Sequence, residues 1–170
     1  MQNHFELFDL PARFTIDPIR LDRAYHHVQG RVHPDRFSTA SDAEKRVAMQ
    51  WATRANEAYQ TLKQPLTRAA YLCELNGVDL QVESNTAMPP GFLMQQIEWR
   101  EALDDARAAR DEAGLEVLDA TLAASRRELI EAIGQALDAD AFAAAAIDVR
   151  KLMFIEKFGE EVGATFDWLA

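Results

Sequence analysis

The chain has 170 residues, 48% of them apolar and 27% charged, with a formal net charge of -10. That is enough for one hydrophobic core or two small ones, and the acidity argues against general nucleic-acid binding. No apolar run approaches the ~20 residues of a membrane span. The single cysteine, Cys73, excludes an internal disulfide framework and fits a reducing compartment. There is no basic-then-apolar signal pattern and no Arg- and Ser-rich transit pattern, so the expected location is cytoplasmic, without membrane contact. The charge is uneven. Met1 to Leu75 holds 10 Lys and Arg against 9 Asp and Glu, and the remainder holds 8 against 19. The two halves therefore suit different partners.

Phe5, Leu7, Phe8 and Leu10 form a short apolar patch closed by Pro11, read as one or two helical turns. Asp17-Pro18 is a helix start: an N-cap residue, then proline at the first helical position. Leu21, Ala24, Tyr25, Val28 and Val32 recur at helical spacing as a buried stripe. Arg20, Arg23, His27 and Arg31 share another face of that helix, with His26 beside it. Arg31-Val32-His33-Pro34-Asp35-Arg36-Phe37 follows. Pro34 has no amide donor and pushes His33 away from helical angles. The spacing predicts a fixed loop that exposes His33 and Asp35. Ser41-Asp42-Ala43-Glu44 is a capping box, and Val47, Trp51, Ala55, Ala58 and Leu62 supply the next apolar stripe. Two antiparallel helices joined by the loop are expected. Pro65 opens another helix, through Leu66, Ala69, Ala70, Leu72, Cys73 and Leu75, ended by Asn76-Gly77.

Residues 76–90, rich in turn formers and lacking periodicity, read as a linker between a domain at 1–75 and one at 91–170. Three helical segments are predicted beyond it: about Pro90 to Arg110, about Glu112 to Leu137, and about Asp138 to Trp168. The second carries Leu115, Leu118, Leu122, Leu129 and Ile133. The third carries Phe142, Ala145, Val149, Leu152 and Phe158. Short connections imply a three-helix bundle, so the expected fold class is all-α. The first of these helices has two apolar faces. Phe92, Trp99, Leu103 and Ala106 cluster on one side. Leu93, Met94 and Ile97 fall on another, with Glu98, Glu101 and Asp105. Periodicity alone allows this second group to be either a broad core stripe or a partner surface of apolar anchors ringed by charge.

His33 and Asp35 invite comparison with an acid-base pair or metal ligands. His26, His27 and His33 lack the same-face His pair and adjacent Glu of a helical zinc site. No nucleophile, glycine-rich phosphate loop or cysteine cluster accompanies them. The chain is therefore read as a non-enzyme with no metal and no cofactor. Cys73 is read as a packing residue.

A His-Pro-Asp loop between a basic-faced helix and a capped helix resembles the signature of the J-domain family, and residues 1–75 match it. The whole chain resembles the HscB family of J-protein co-chaperones. The matching segments are Phe5-Glu6-Leu7-Phe8, Leu10-Pro11-Ala12-Arg13, Pro65-Leu66-Thr67-Arg68-Ala69-Ala70-Tyr71-Leu72, Phe92-Leu93-Met94-Gln95-Gln96 and Val149-Arg150-Lys151-Leu152. The resemblance implies an L-shaped pair of domains. It implies docking of the first on a DnaK-like ATPase, HscA, whose ATP hydrolysis is stimulated. It implies binding of the iron-sulfur scaffold IscU by the second, promoting cluster transfer. Carried over residue by residue, His33, Pro34 and Asp35 match the stimulatory loop, and Arg23, His27 and Arg31 the docking helix. Leu93, Met94, Ile97, Glu98, Glu101 and Asp105 match the scaffold-binding face, with Phe154 contributing from the last helix.

The chain departs from the pattern in places. His26 and His27 stand where Lys or Arg is usual, which would weaken docking at high pH or high salt. Trp99 replaces a common aliphatic residue, and the cysteine zinc module of some eukaryotic relatives is absent, which favours a bacterial type. Two rival readings differ in class: a J-protein that recruits a general chaperone to unfolded clients, and a small His-dependent metalloprotein.

Overall fold

Most helix starts in this chain carry a side chain that closes the open amides there. The computed structural model describes residues 1–80 and 88–170, and every regular element among them is helical. Asn3 and Glu6 form a capping box on α1, His4–Leu7. Asp17 accepts from the amide of Ile19 at 3.0 Å to start α2, Pro18–Val32, with Pro18 in the first turn. Ser41 and Glu44 cap α3, Asp42–Lys63, reciprocally. Such a cap contributes about 1 kcal/mol. Gln64, held extended at ψ 137 by the following proline, separates α3 from α4, Pro65–Leu75. Gly77, at φ 78, lies just beyond its end.

The remaining helices are α5 (Pro90–Ala109), α6 (Glu112–Asp138) and α7 (Phe142–Leu169). The turns between them are both Schellman motifs. Asp111 N donates to Ala106 O at 2.9 Å with Arg110 at φ 50, and Ala141 N donates to Ala136 O at 2.8 Å with Asp140 at φ 55. The second turn corrects the sequence reading. The last helix starts at Phe142, not near Asp138, because a left-handed Asp140 interrupts the chain without the glycine that normally announces such a stop.

Two compact units emerge, Met1–Leu75 and Asn76–Ala170. Of the predicted linker, 76–90, residues 81–87 fall outside the described residues. In the first unit, Phe5, Leu21, Ala55, Ala58, Leu62, Leu72 and Cys73 are buried. Val47 and Trp51 are not, at 52% and 38% exposure. The sequence reading placed both on the core stripe of α3; the structure buries Ala48, one residue on from Val47, in line with Ala55, Ala58 and Leu62 instead. In the second unit, α5 and α7 run parallel: Phe92 meets Phe154, Arg100 meets Glu161 and Arg107 meets Trp168, the numbers rising together. The short turns make α6 antiparallel to both. Leu103, Leu115, Leu118, Leu122, Phe158 and Val162 fill the core between them.

Candidate functional site

The α2–α3 hairpin sets up the first candidate surface. Tyr59 donates to Asp22 Oδ1 at 2.7 Å, and Tyr25 donates to Asn56 Oδ1 at 2.6 Å. The α3 partner falls from 59 to 56 as the α2 residue rises from 22 to 25, so the helices are antiparallel. Gln29 joins by donating to Asn56 Oδ1 at 2.5 Å and to Tyr25 at 2.7 Å. The Tyr25 and Tyr59 rings stack at 4.1 Å. This polar seam pins the register of the hairpin, and the hydrogen bond to Asp22 raises the Tyr59 phenol above its usual range. The sequence reading missed the seam; its signal was polar or phenolic residues at i, i+3 on both helices.

The turn itself is more ordered than a loop. His33 ends α2 at ψ 136, and Pro34–Phe37 form a 3-10 turn closed by Arg36 N donating to His33 O at 3.0 Å. The His33 ring caps that turn: Asp35 N donates to Nδ1 at 3.3 Å. Asp35 Oδ2 lies 3.5 Å from the same nitrogen. The two contacts require opposite protonation of Nδ1. A bare Nδ1 accepts from the Asp35 amide, and an Nδ1 that carries a proton donates to the Asp35 carboxylate. The His33 and Asp35 side chains are 57% and 91% exposed. Arg23, His27 and Arg31, at four-residue spacing on α2, are all exposed and lead to the turn. Arg20 is also exposed but donates to the Asp9 carbonyl at 2.9 Å. The structure therefore brings His33, Pro34, Asp35, Arg23, His27 and Arg31 onto one surface.

The second candidate surface lies on α5. Phe92, Trp99, Leu103 and Ala106 are buried. One helical step away, Leu93, Met94 and Ile97 are 45%, 60% and 55% exposed, among exposed Glu98, Glu101 and Asp105. Three large apolar side chains beside three carboxylates form a patch left uncovered among the described residues. Phe154, on the last helix, is partly buried and packs against the core of the bundle. Its ring stacks on Phe158 at 5.6 Å and Trp99 at 6.3 Å and meets Phe92 edge-on at 5.8 Å. The α5 helix is clasped to α7 by Arg100 and Glu161 at 2.5 Å, with the guanidinium over Phe158. That hydrogen bond lowers the Glu161 carboxyl below its usual range.

Among the described residues no three His, Cys, Asp or Glu side chains are grouped to hold a metal ion, and no helix is long and apolar enough to cross a membrane.

Comparison with known proteins adds identity to these shapes. Residues 88–163 match the family model described as the HSCB C-terminal oligomerisation domain. The co-chaperone protein HscB homolog of Burkholderia vietnamiensis is 58% identical, over 98% of this chain and 95% of its own. The solved structure of chaperone HscB from Vibrio cholerae is 40% identical with a TM-score of 0.88, over 99% of this chain and 100% of that one. The human co-chaperone protein HscB structure is 29% identical with a TM-score of 0.91, over 96% of this chain and 82% of that one. The fold and its exposed turn are those of a J-protein co-chaperone. Within that class the chain belongs to the HscB family.

Proposed function

We propose that this co-chaperone docks on a DnaK-like ATPase, HscA, stimulates its ATP hydrolysis, and delivers the iron-sulfur scaffold IscU to it in the cytoplasm. The J-domain at 1–75 meets the ATPase through His33, Pro34, Asp35, Arg23, His27 and Arg31. The bundle at 91–170 holds the scaffold through Leu93, Met94, Ile97, Glu98, Glu101 and Asp105, with Phe154. One observation carries the reading: His33 and Asp35 point outward from a turn whose backbone is closed by its own hydrogen bonds. A turn closed by its own hydrogen bonds, with the His33 and Asp35 side chains in solvent, is suited to presentation. Asp35 pairs with a basic group on the ATPase, and the α2 face with an acidic patch; such contacts set orientation and encounter rate more than affinity. Stimulation is a shift in the partner's conformational equilibrium, so no chemistry is needed in this chain.

The test is a steady-state ATPase assay on the chaperone, with and without scaffold. His33→Gln should abolish stimulation and leave both the fold and scaffold binding unchanged. Wild-type stimulation by that variant would overturn the docking assignment. An unfolded peptide that displaces folded scaffold would instead favour a general client-recruiting J-protein.

A further inference from the structure

We propose that an open apolar cavity beside the His-Pro-Asp turn is a second contact point for the chaperone, taking an apolar side chain from an acidic segment of it. This rests on the docking reading above and adds to it a site on α3.

The cavity occupies about 410 Å³, and its walls include Leu7, Val28, Val32, Phe37 and Trp51. An apolar cavity of ~150 Å³ already admits benzene, so a bulky aliphatic or aromatic side chain fits. The walls are residues of core type. Val28 and Val32, on the apolar stripe of α2, are only half-buried, and on α3 Trp51 and Val47 one turn before it stay exposed. Phe37 ends the 3-10 turn that begins at Pro34. The mouth therefore opens next to the presented His33 and Asp35. Arg31 belongs both to the cavity and to the basic face of α2. A partner seated on that face passes the mouth.

Charge narrows the occupant. No carboxylate lines the cavity. Besides Arg31, the Arg54 guanidinium sits 5.3 Å from the centre of the Trp51 ring. Glu57 shares with Arg54 a separate shallow groove along the outside of α3, and Asp35, on the adjoining turn, does not line the cavity. A cationic rim around an apolar floor selects an apolar anchor with acidic neighbours and rejects one with basic neighbours. The α2 face has the same preference, so one acidic partner surface satisfies both.

The experiment is a titration of chaperone ATPase activity with full-length variants. Trp51→Gln should raise the concentration for half-maximal stimulation about tenfold, the scale of losing one central apolar anchor, and leave the maximum near wild type. Trp51→Phe should restore it. Arg54→Glu, a charge reversal at a half-buried residue that also donates to the Gln2 carbonyl, should raise it as well and, once circular dichroism shows it folded, serves if Trp51→Gln unfolds. Trp168→Gln, at an exposed tryptophan in the other unit, should change nothing. Wild-type half-maximal concentrations for a folded Trp51→Gln and for Arg54→Glu would overturn the inference. So would self-association of the wild type, seen by light scattering and lost in Trp51→Gln with stimulation intact, because the cavity would then serve copies of this chain. If His33→Gln is inactive while both α3 variants stimulate normally, only this inference falls; if His33→Gln stimulates normally, the docking reading falls.

Discussion

Replacing Leu93, Met94 and Ile97 together by Ala separates a binding face from a core stripe. Full burial of such a side chain stabilises by about 1.5–3 kcal/mol. These three are 45–60% exposed, and truncation to Ala keeps the Cβ atoms nearest the helix. The loss is then about 0.5 kcal/mol each, and removing a β-branched Ile returns a few tenths through helix propensity. The triple variant should lose only about 1 kcal/mol. Leu103→Ala, at 0% exposure on the same helix, should lose about 2–5 kcal/mol by itself. Urea unfolding read by tryptophan fluorescence in a Trp51→Phe background reports on the bundle alone, since Trp99 and Trp168 remain there. Scaffold binding by the triple variant should weaken by about 2–4 kcal/mol, some 30- to 1000-fold, if these are central anchors. A triple variant as destabilised as Leu103→Ala would mean the stripe is core. A folded triple variant with wild-type scaffold affinity would mean the face binds something else.

Two further outcomes test the local physics. His4 stacks on Tyr71 at 4.3 Å, and burial lowers its pKa; Arg54 adds to this and Glu57 opposes it. The unfolded chain therefore takes up the proton first as pH falls. Stability from this site is complete above about 6.5, the ordinary imidazole value, and drains away as pH drops through the lower folded value. Thermal midpoints of the first unit should fall between pH 7 and 5, and His4→Phe should flatten that slope; an unchanged slope would refute it. At the start of α6, Gly114 N donates to Asp111 Oδ1 at 3.0 Å, and a Cβ on Gly114 would lie 2.5 Å from Asp111 Oδ2. Gly114→Ala should thus be near neutral, a gain of about 1 kcal/mol in helix propensity offset by a cap worth about as much. In an Asp111→Ala background the same change should stabilise by about 1 kcal/mol, and a double-mutant cycle showing simple additivity would refute the clash.

The two units differ in charge as the sequence does. The near-neutral first unit carries Arg20, Arg23 and Arg31 on α2, and the acidic second unit sets Glu98, Glu101 and Asp105 beside exposed apolar side chains on α5.

What the sequence determined alone was local chemistry and direction. Asp17-Pro18, Ser41 with Glu44, and Pro65 announced helix starts because each answers a backbone need within four residues. Pro34 announced the exposed turn for the same reason. The 100° period separated Phe92, Trp99, Leu103 and Ala106 from Leu93, Met94 and Ile97, and the burial pattern follows that division. Tertiary structure decided whether anything stood opposite a given face. Val47 and Trp51 continue the apolar stripe of α3 yet stay exposed, while Ala48 takes the buried position at that end of the helix. Phe154 turned toward Phe92, Trp99 and Phe158 because α5 and α7 run parallel, a fact of topology that no stretch of α7 contains. The stop at Asp140 needed a left-handed residue that only the closing hydrogen bonds of the α6–α7 turn could hold there. Periodicity gives each side chain a bearing; only packing of distant segments supplies the surface it meets.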